Sequence, residues 1–295
     1  MNLRKTAKLL KETFKEWQQD KASRIAAALA YYTVFSISPL LVIAIAIAGA
    51  FFGQETAQQQ IINQLTGLVG EDGIKPILMA LDNISQPKTR GLASLVSILV
   101  LVLGASGIFA QLQDALNTVW KVKPQSGQGI LPFLRKRLSS FLMVLAIGFL
   151  LILSLILSTV VTAVSKYRVD LIPGSQILWE NLDFIVSLGL MTFLFGLMFK
   201  YVPDVEIAWK DVFVGSVITA LLFIFGKFLL GVYISKGSLG SAYGAAGSLI
   251  VFLAWVYYSA QIILFGAEFT QVYSQMYGSK IRPNKHSQRN EDRIL

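Results

Sequence analysis

Lys227 places an ammonium inside the otherwise uncharged stretch from Phe213 to Ile234, FVGSVITALLFIFGKFLLGVYI. A cation there can hold an anionic group. Centred in a bilayer it costs about 2.5 to 3.5 kcal/mol on insertion scales, so it calls for a partner or a route to water. Lys227 lies seven residues before Ile234, about 10 Å from the end of the stretch at 1.5 Å per residue. Outward snorkelling therefore competes with a role in binding.

Glu268, in the Gly-Ala-Glu sequence of the last apolar run, is the obvious counter-ion. It sits near the opposite end of its helix, roughly 20 Å deeper than Lys227 by the same rise, so straight helices cannot pair the two. Glu268 is expected to be an interfacial anchor neutralised by Arg24, Lys200 or Lys210. Lys227 is left to Ser154, Ser158, Thr192 or a ligand.

Gln111, Asp114 and Thr118 recur at i, i+3 and i+7 with Asn117 beside them, so they line one helical face. That face is either a hydrophilic entry or a solvated helix end. Ser36, Ser38 and Pro39 interrupt the first apolar run, where Pro39 predicts a kink, and Gln261 adds a polar group to the last. These residues and Lys227 are the candidates for a substrate path.

Other chemistry is excluded by composition. The chain has no cysteine and one histidine, His286, in the polar tail. Disulfides, thiolate metal sites and histidine clusters within one chain are ruled out. No Walker-type GxxxxGK[ST] loop is present to couple ATP hydrolysis. No catalytic residue, metal or cofactor is expected.

The elements that must position these residues are membrane helices. Of the 295 residues 54% are hydrophobic and 15% charged, with mean hydropathy +0.60, against about 25% charged in ordinary soluble chains. Six apolar runs are long enough to span a bilayer, which takes about 17 to 25 residues. They are Ala26 to Phe52, Leu92 to Leu112, Phe141 to Val164, Phe184 to Lys200, Phe213 to Ile234 and Ala246 to Phe269. None alternates like a barrel strand. The expected fold is all-α, a polytopic bundle of six transmembrane helices over residues 26–269, with an N-terminal amphipathic helix and a helical outer loop.

The first run is too long, and its polar lead too long, for a cleaved signal peptide. Six spans place both termini on one side, together with the loops after the second and fourth spans. That side holds nineteen lysines and arginines against six on the other, which predicts cytoplasmic termini. The net charge of +9 is concentrated beside the membrane, at Lys121, Lys123, Arg135, Lys136 and Arg137. The partners this favours are anionic lipid headgroups rather than nucleic acid.

Residues 1–25 carry Leu3, Ala7, Leu10, Phe14 and Trp17 at helical spacing among lysines. This basic amphipathic pattern suits either a membrane surface or the protein's own loops. Residues 53–90 read as two short amphipathic helices separated near Gly70, Asp72 and Gly73. Residues 270–295 read as a flexible cytoplasmic tail. Gly240, Gly244 and Ser248 lie four apart, with Gly247 among them, a spacing that permits close helix packing. Trp209 is a candidate interfacial anchor. No internal repeat is evident, so an inverted-repeat transporter fold is not supported.

Four segments carry a family resemblance: AAALAYYTVFSISPLLVI (26–43), GASGIFAQLQDALNTVW (104–120), KYVPDVEIAWKDVFVGSVITALLF (200–223) and YGAAGSLIVFLAWVYYSAQIILFGAEF (243–269). In this order they resemble the YihY, or virulence factor BrkB, family. The resemblance implies a six-span bacterial inner-membrane protein. It brings no settled activity, since members have been labelled ribonuclease BN and linked to envelope resistance and lipid export.

Transport or flipping of a lipid or other anionic amphiphile, not driven by an ATPase of its own, is the leading functional expectation. A non-transporting envelope scaffold is the alternative. Ribonuclease chemistry is disfavoured, because metal-dependent phosphodiester hydrolysis needs clustered carboxylates or histidines that the sequence does not offer.

Overall fold

The computed structural model describes residues 3–85, 92–124, 175–236, 243, 246–279, 281–284 and 287–289. The chain runs α1 (Leu3–Gln19), α2 (Ala22–Phe52), α3 (Gln54–Ser85), α4 (Leu92–Val119), β1 (Val122–Pro124), α5 (Ser175–Tyr201), β2 (Val205–Glu206), α6 (Trp209–Lys236), α7 (Gly247–Tyr277), β3 (Arg282–Pro283) and β4 (Ser287–Arg289). It is an all-α polytopic membrane protein. Among the described residues four segments are long and apolar enough to cross a membrane: Ala22–Phe52, Phe184–Tyr201, Trp209–Tyr233 and Gly247–Tyr277. Helix α4 covers the second expected span, and the third, Phe141 to Val164, lies outside the described residues.

Helix α7 is the hub, packed by α1, α2, α3, α4 and α6. Hydrocarbon tails are as apolar as leucine, so burial alone does not drive spans together, and close approach of small residues must. The α6–α7 contact shows how. A side chain on Gly215 would collide with Thr270, and one on Gly266 would collide with Thr219. Each threonine is satisfied at home, Thr219 Oγ1 donating to the Gly215 carbonyl and Thr270 Oγ1 to that of Gly266, both at 2.7 Å. Two antiparallel Gly-x-x-x-Thr faces thus interlock, each threonine filling the gap left by the other helix's glycine.

Helix α2 meets α4 in the same manner. Ser36 Oγ donates to the Gly104 carbonyl at 2.7 Å, Pro39 abuts Gly104, and Ser36 abuts Gly107. Helix α2 runs through Pro39 as one element. Gly104 and Gly107 give α2 its seat.

The outer loop forms two helical arms, because α3 is broken at Gly70 by a left-handed φ of 81°. Both arms turn apolar residues, Ala57, Ile61, Val69, Ile74, Ile77 and Leu81, onto the Leu41–Ala48 part of α2 and onto Phe252 and Val256 of α7. Beyond the break, Lys75 pairs with Asp72 at 2.6 Å; that hydrogen bond holds its ammonium above the usual lysine range.

The tail departs from expectation. In place of a free segment, β3 pairs antiparallel with β2 and β4 with β1. Asn284 N and Ser287 Oγ donate to the Asp204 carbonyl, at 3.2 and 2.6 Å. Charge and polarity in the tail concealed this, since backbone pairing leaves almost no hydropathy signal. His286 lies outside the described residues. Helix α1, β1, β4 and the loop around Asp204 share one end of the bundle, here called the terminal face.

Candidate functional site

On α6, Lys227 is exposed in a shallow recess walled by Ile224, Phe228, Gly231 and Val232. Phe225 and Phe228 are 59% and 67% exposed beside it, so this face of α6 is apolar apart from one ammonium. No salt bridge reaches Lys227 among the described residues. Thr192, one partner suggested by depth, is buried on α5; Ser154 and Ser158 lie outside the described residues. Gly231 leaves open space where a Cβ would stand.

Glu268 has the opposite environment. It is wholly buried on α7, and neither carboxylate oxygen has a hydrogen-bond partner. Its charged neighbours are Asp20, Glu16 and Lys121. Arg24 and Lys210, two of the cations expected to neutralise it, are exposed, and Lys200 donates to the Ile207 carbonyl. Lys121 itself is bound to Glu16 at 2.5 Å. Asp20, 6% exposed, brings a second carboxyl to Glu268.

The polypeptide builds this junction with two left-handed lysines. Lys21, at φ 55°, turns the chain between α1 and α2 and tucks Asp20 inward; Lys121, at φ 56°, ends α4. Trp17 and Trp120 enclose the same region. Trp120 is part of the core with Ala22, Leu264 and Ala267, Trp17 packs against that core, and both indole N–H groups are buried without an acceptor. Sequence reasoning missed Asp20 and Glu16, and gave Lys121 to lipid headgroups rather than to Glu16, because each falls in a polar flank that hydropathy assigns to water. The one available signal was Glu268 itself.

The polar stripe on α4 divides. Gln111 and Thr118 are half-buried and Asp114 exposed, whereas Asn117 is 3% exposed and fully engaged. Its Nδ2 donates to Asp204 Oδ2 and its Oδ1 accepts from the Asp204 amide, both at 2.8 Å, and Gln113 adds donors to both carboxylate oxygens at 3.2 Å. Asn117 fastens the α5–α6 connection. Ser36 and Pro39 belong to the α2–α4 seat, Ser38 is buried with its hydroxyl unpartnered, and Gln261 is half-buried with its Oε1 unpartnered. Trp209 is half exposed, edge-on to Tyr201 at 6.0 Å, as an interfacial aromatic would be. Gly247 is buried at the start of α7, and Gly244 lies outside the described residues. No three His, Cys, Asp or Glu side chains among the described residues are placed to hold a metal.

The family profile for virulence factor BrkB matches residues 13–291, from within α1 to the last described strand. The chain belongs to the virulence factor BrkB family. Within this BrkB fold the match takes in Lys227 and the whole Glu268 junction. A UPF0761 membrane protein of Methylibium petroleiphilum is 29% identical over 269 residues, covering 89% of this chain and 60% of that protein. One from Pseudomonas aeruginosa is 28% identical over 256 residues, covering 84% and 58%. One from Ralstonia nicotianae is 27% identical over 269 residues, covering 90% and 58%. This BrkB chain therefore spans 58–60% of the length of these relatives. No solved structure matches it.

Proposed function

We propose that this protein moves a lipid or another anionic amphiphile across the bacterial inner membrane, with both termini in the cytoplasm and with no ATPase of its own. The observation that carries the reading is Lys227, an ammonium exposed on a helix face otherwise made of Ile224, Phe225, Phe228 and Val232. Such a face suits a ligand with acyl chains and an anionic headgroup. The chains lie along the apolar wall, and the headgroup meets the one cation at a depth where water solvates charge poorly. The excess of lysine and arginine on the terminal face supports its assignment to the cytoplasm.

Purified protein in liposomes containing a fluorescent anionic phospholipid tests the proposal. Wild type should accelerate movement between leaflets, Lys227→Ala should remove most of the acceleration, and Lys227→Arg should keep much of it. Rates equal to protein-free vesicles, or Lys227→Ala equal to wild type, would refute the assignment.

A further inference from the structure

Helix α1 has three faces where a helix packed on the outside of a protein needs only two. Seen down its axis at about 100° per residue, Leu9, Thr13 and Glu16 share one sector. Leu9 and Thr13 are fully buried, Leu9 in a cluster with Phe269 and Val272 of α7, and Glu16 is bound to Lys121 beyond the end of α4 at 2.5 Å. Ala7, Leu10 and Phe14 form the next sector, and all three are exposed. Phe14 stacks on Trp17 with ring centroids 5.7 Å apart, which holds its ring on that side of the helix. The third sector is basic. Arg4, Lys5, Lys8, Lys11 and Lys15 are all exposed there, and the one acid among them, Glu12, pairs with Lys15 at 3.2 Å.

The level of α1 on the bundle indicates what these open sectors meet. Val214 and Ile218 of α6 pack on the same cluster as Leu9. They follow Trp209 by five and nine residues, so they lie about 7 to 13 Å along α6 from that interfacial aromatic at 1.5 Å per residue. Only Asp20 and Lys21 separate α1 from the span that begins at Ala22. A helix held at this level lies where headgroups give way to acyl chains, and amphipathic helices there bury their apolar face about 5 to 10 Å deep.

We propose that α1 docks on the anionic headgroups of the leaflet at the terminal face, with Leu10 and Phe14 inserted among the acyl chains and Arg4, Lys5, Lys8 and Lys11 at the phosphates. The apolar stripe alone does not distinguish one lipid from another. The basic sector makes the contact selective, because cationic side chains are drawn to a negatively charged leaflet and added salt screens that attraction. Leu9, Thr13 and Glu16 grip the protein from the other side, so the docked helix is clamped between the leaflet and α7. This surface is separate from Lys227 on α6 and stands whatever the bundle moves.

The chain has no cysteine, so Phe14→Cys, with Lys8→Cys for comparison, gives one attachment point for a nitroxide spin label on the full chain in vesicles. Collisions with oxygen, which concentrates in acyl chains, and with a water-soluble nickel chelate read the depth of each label. In vesicles of mixed phosphatidylglycerol and phosphatidylcholine, the oxygen-to-nickel collision ratio at position 14 should be several-fold above that at position 8. In pure phosphatidylcholine the ratio at position 14 should fall toward that at position 8. It should fall likewise in mixed vesicles when Arg4→Gln, Lys5→Gln, Lys8→Gln and Lys11→Gln are combined. These four side chains are exposed, so the melting temperature should not change, and the comparison of the two vesicle types needs none of the four substitutions. A label at position 14 open to the nickel chelate in mixed vesicles, a label shielded from both reagents by protein, or a ratio indifferent to lipid charge would each overturn the proposal.

Discussion

Gly231 and Lys227 stand one turn apart on α6, and the difference between them separates binding from folding at the level of single residues. A side chain at Gly231 meets nothing within 4 Å, and replacing a helical glycine removes a penalty of about 0.5 to 1 kcal/mol. Gly231→Leu should therefore leave the melting temperature unchanged or raised while slowing lipid movement, because the leucine fills the recess beside the ammonium. Normal transport by a stable Gly231→Leu protein would argue that the ligand does not use this recess. Lys227 was legible in the sequence as a charge that hydropathy could not place. Glu268 was legible only by half: its position near the helix end was plain, but its burial was not, since that depends on Asp20 being folded inward at Lys21.

At the level of elements, the α6–α7 pair depends on two glycines that sequence alone did not single out. Attention fell on Gly240, Gly244 and Gly247, a visible repeat in the sequence. The operative pattern is one Gly-x-x-x-Thr on each of two helices, and it becomes recognisable only once their register is known. A methyl group added at Gly215 or Gly266 overpacks the contact, which typically costs about 1 to 3 kcal/mol. Gly215→Ala should melt well below wild type, and Thr270→Ala combined with it should recover part of the loss. An unaltered melting curve for Gly215→Ala would show that the helices part there without cost. The outer loop was read correctly as two helices because Gly70 punctuates clear apolar stripes. The tail was misread because β3 and β4 pair through backbone groups.

Helix α1 packs one side against the protein and leaves an apolar stripe exposed on the other. Leu9 and Thr13 are fully buried, Leu9 against Phe269 and Val272 of α7, while Leu10 and Phe14 are 45% and 51% exposed. The exposed stripe lies among Lys8, Lys11 and Lys15, an arrangement suited to an anionic bilayer surface. Leu10→Asp with Phe14→Asp should free α1 from the surface, raising its protease cleavage in liposomes while the bundle stays folded. Cleavage equal to wild type would indicate that only the α7 contact holds α1.

Across the whole molecule, the helical bundle exposes one ammonium, Lys227, on an apolar face of α6 and buries one carboxyl, Glu268, within α7. The six apolar runs foretold the class of fold, and four of them are described as spans long enough to cross a membrane. In the proposed transport Lys227 is the contact for an anionic headgroup. The most direct test is transbilayer movement of fluorescent anionic and zwitterionic phospholipids in matched proteoliposomes of wild type and Lys227→Ala. A contact to a charged group worth about 1.5 to 3 kcal/mol corresponds to a loss of about ten- to a hundredfold in rate. That loss is expected for the anionic lipid, with little change for the zwitterionic one; equal rates for the two proteins with the anionic lipid would rule out Lys227 as the headgroup contact.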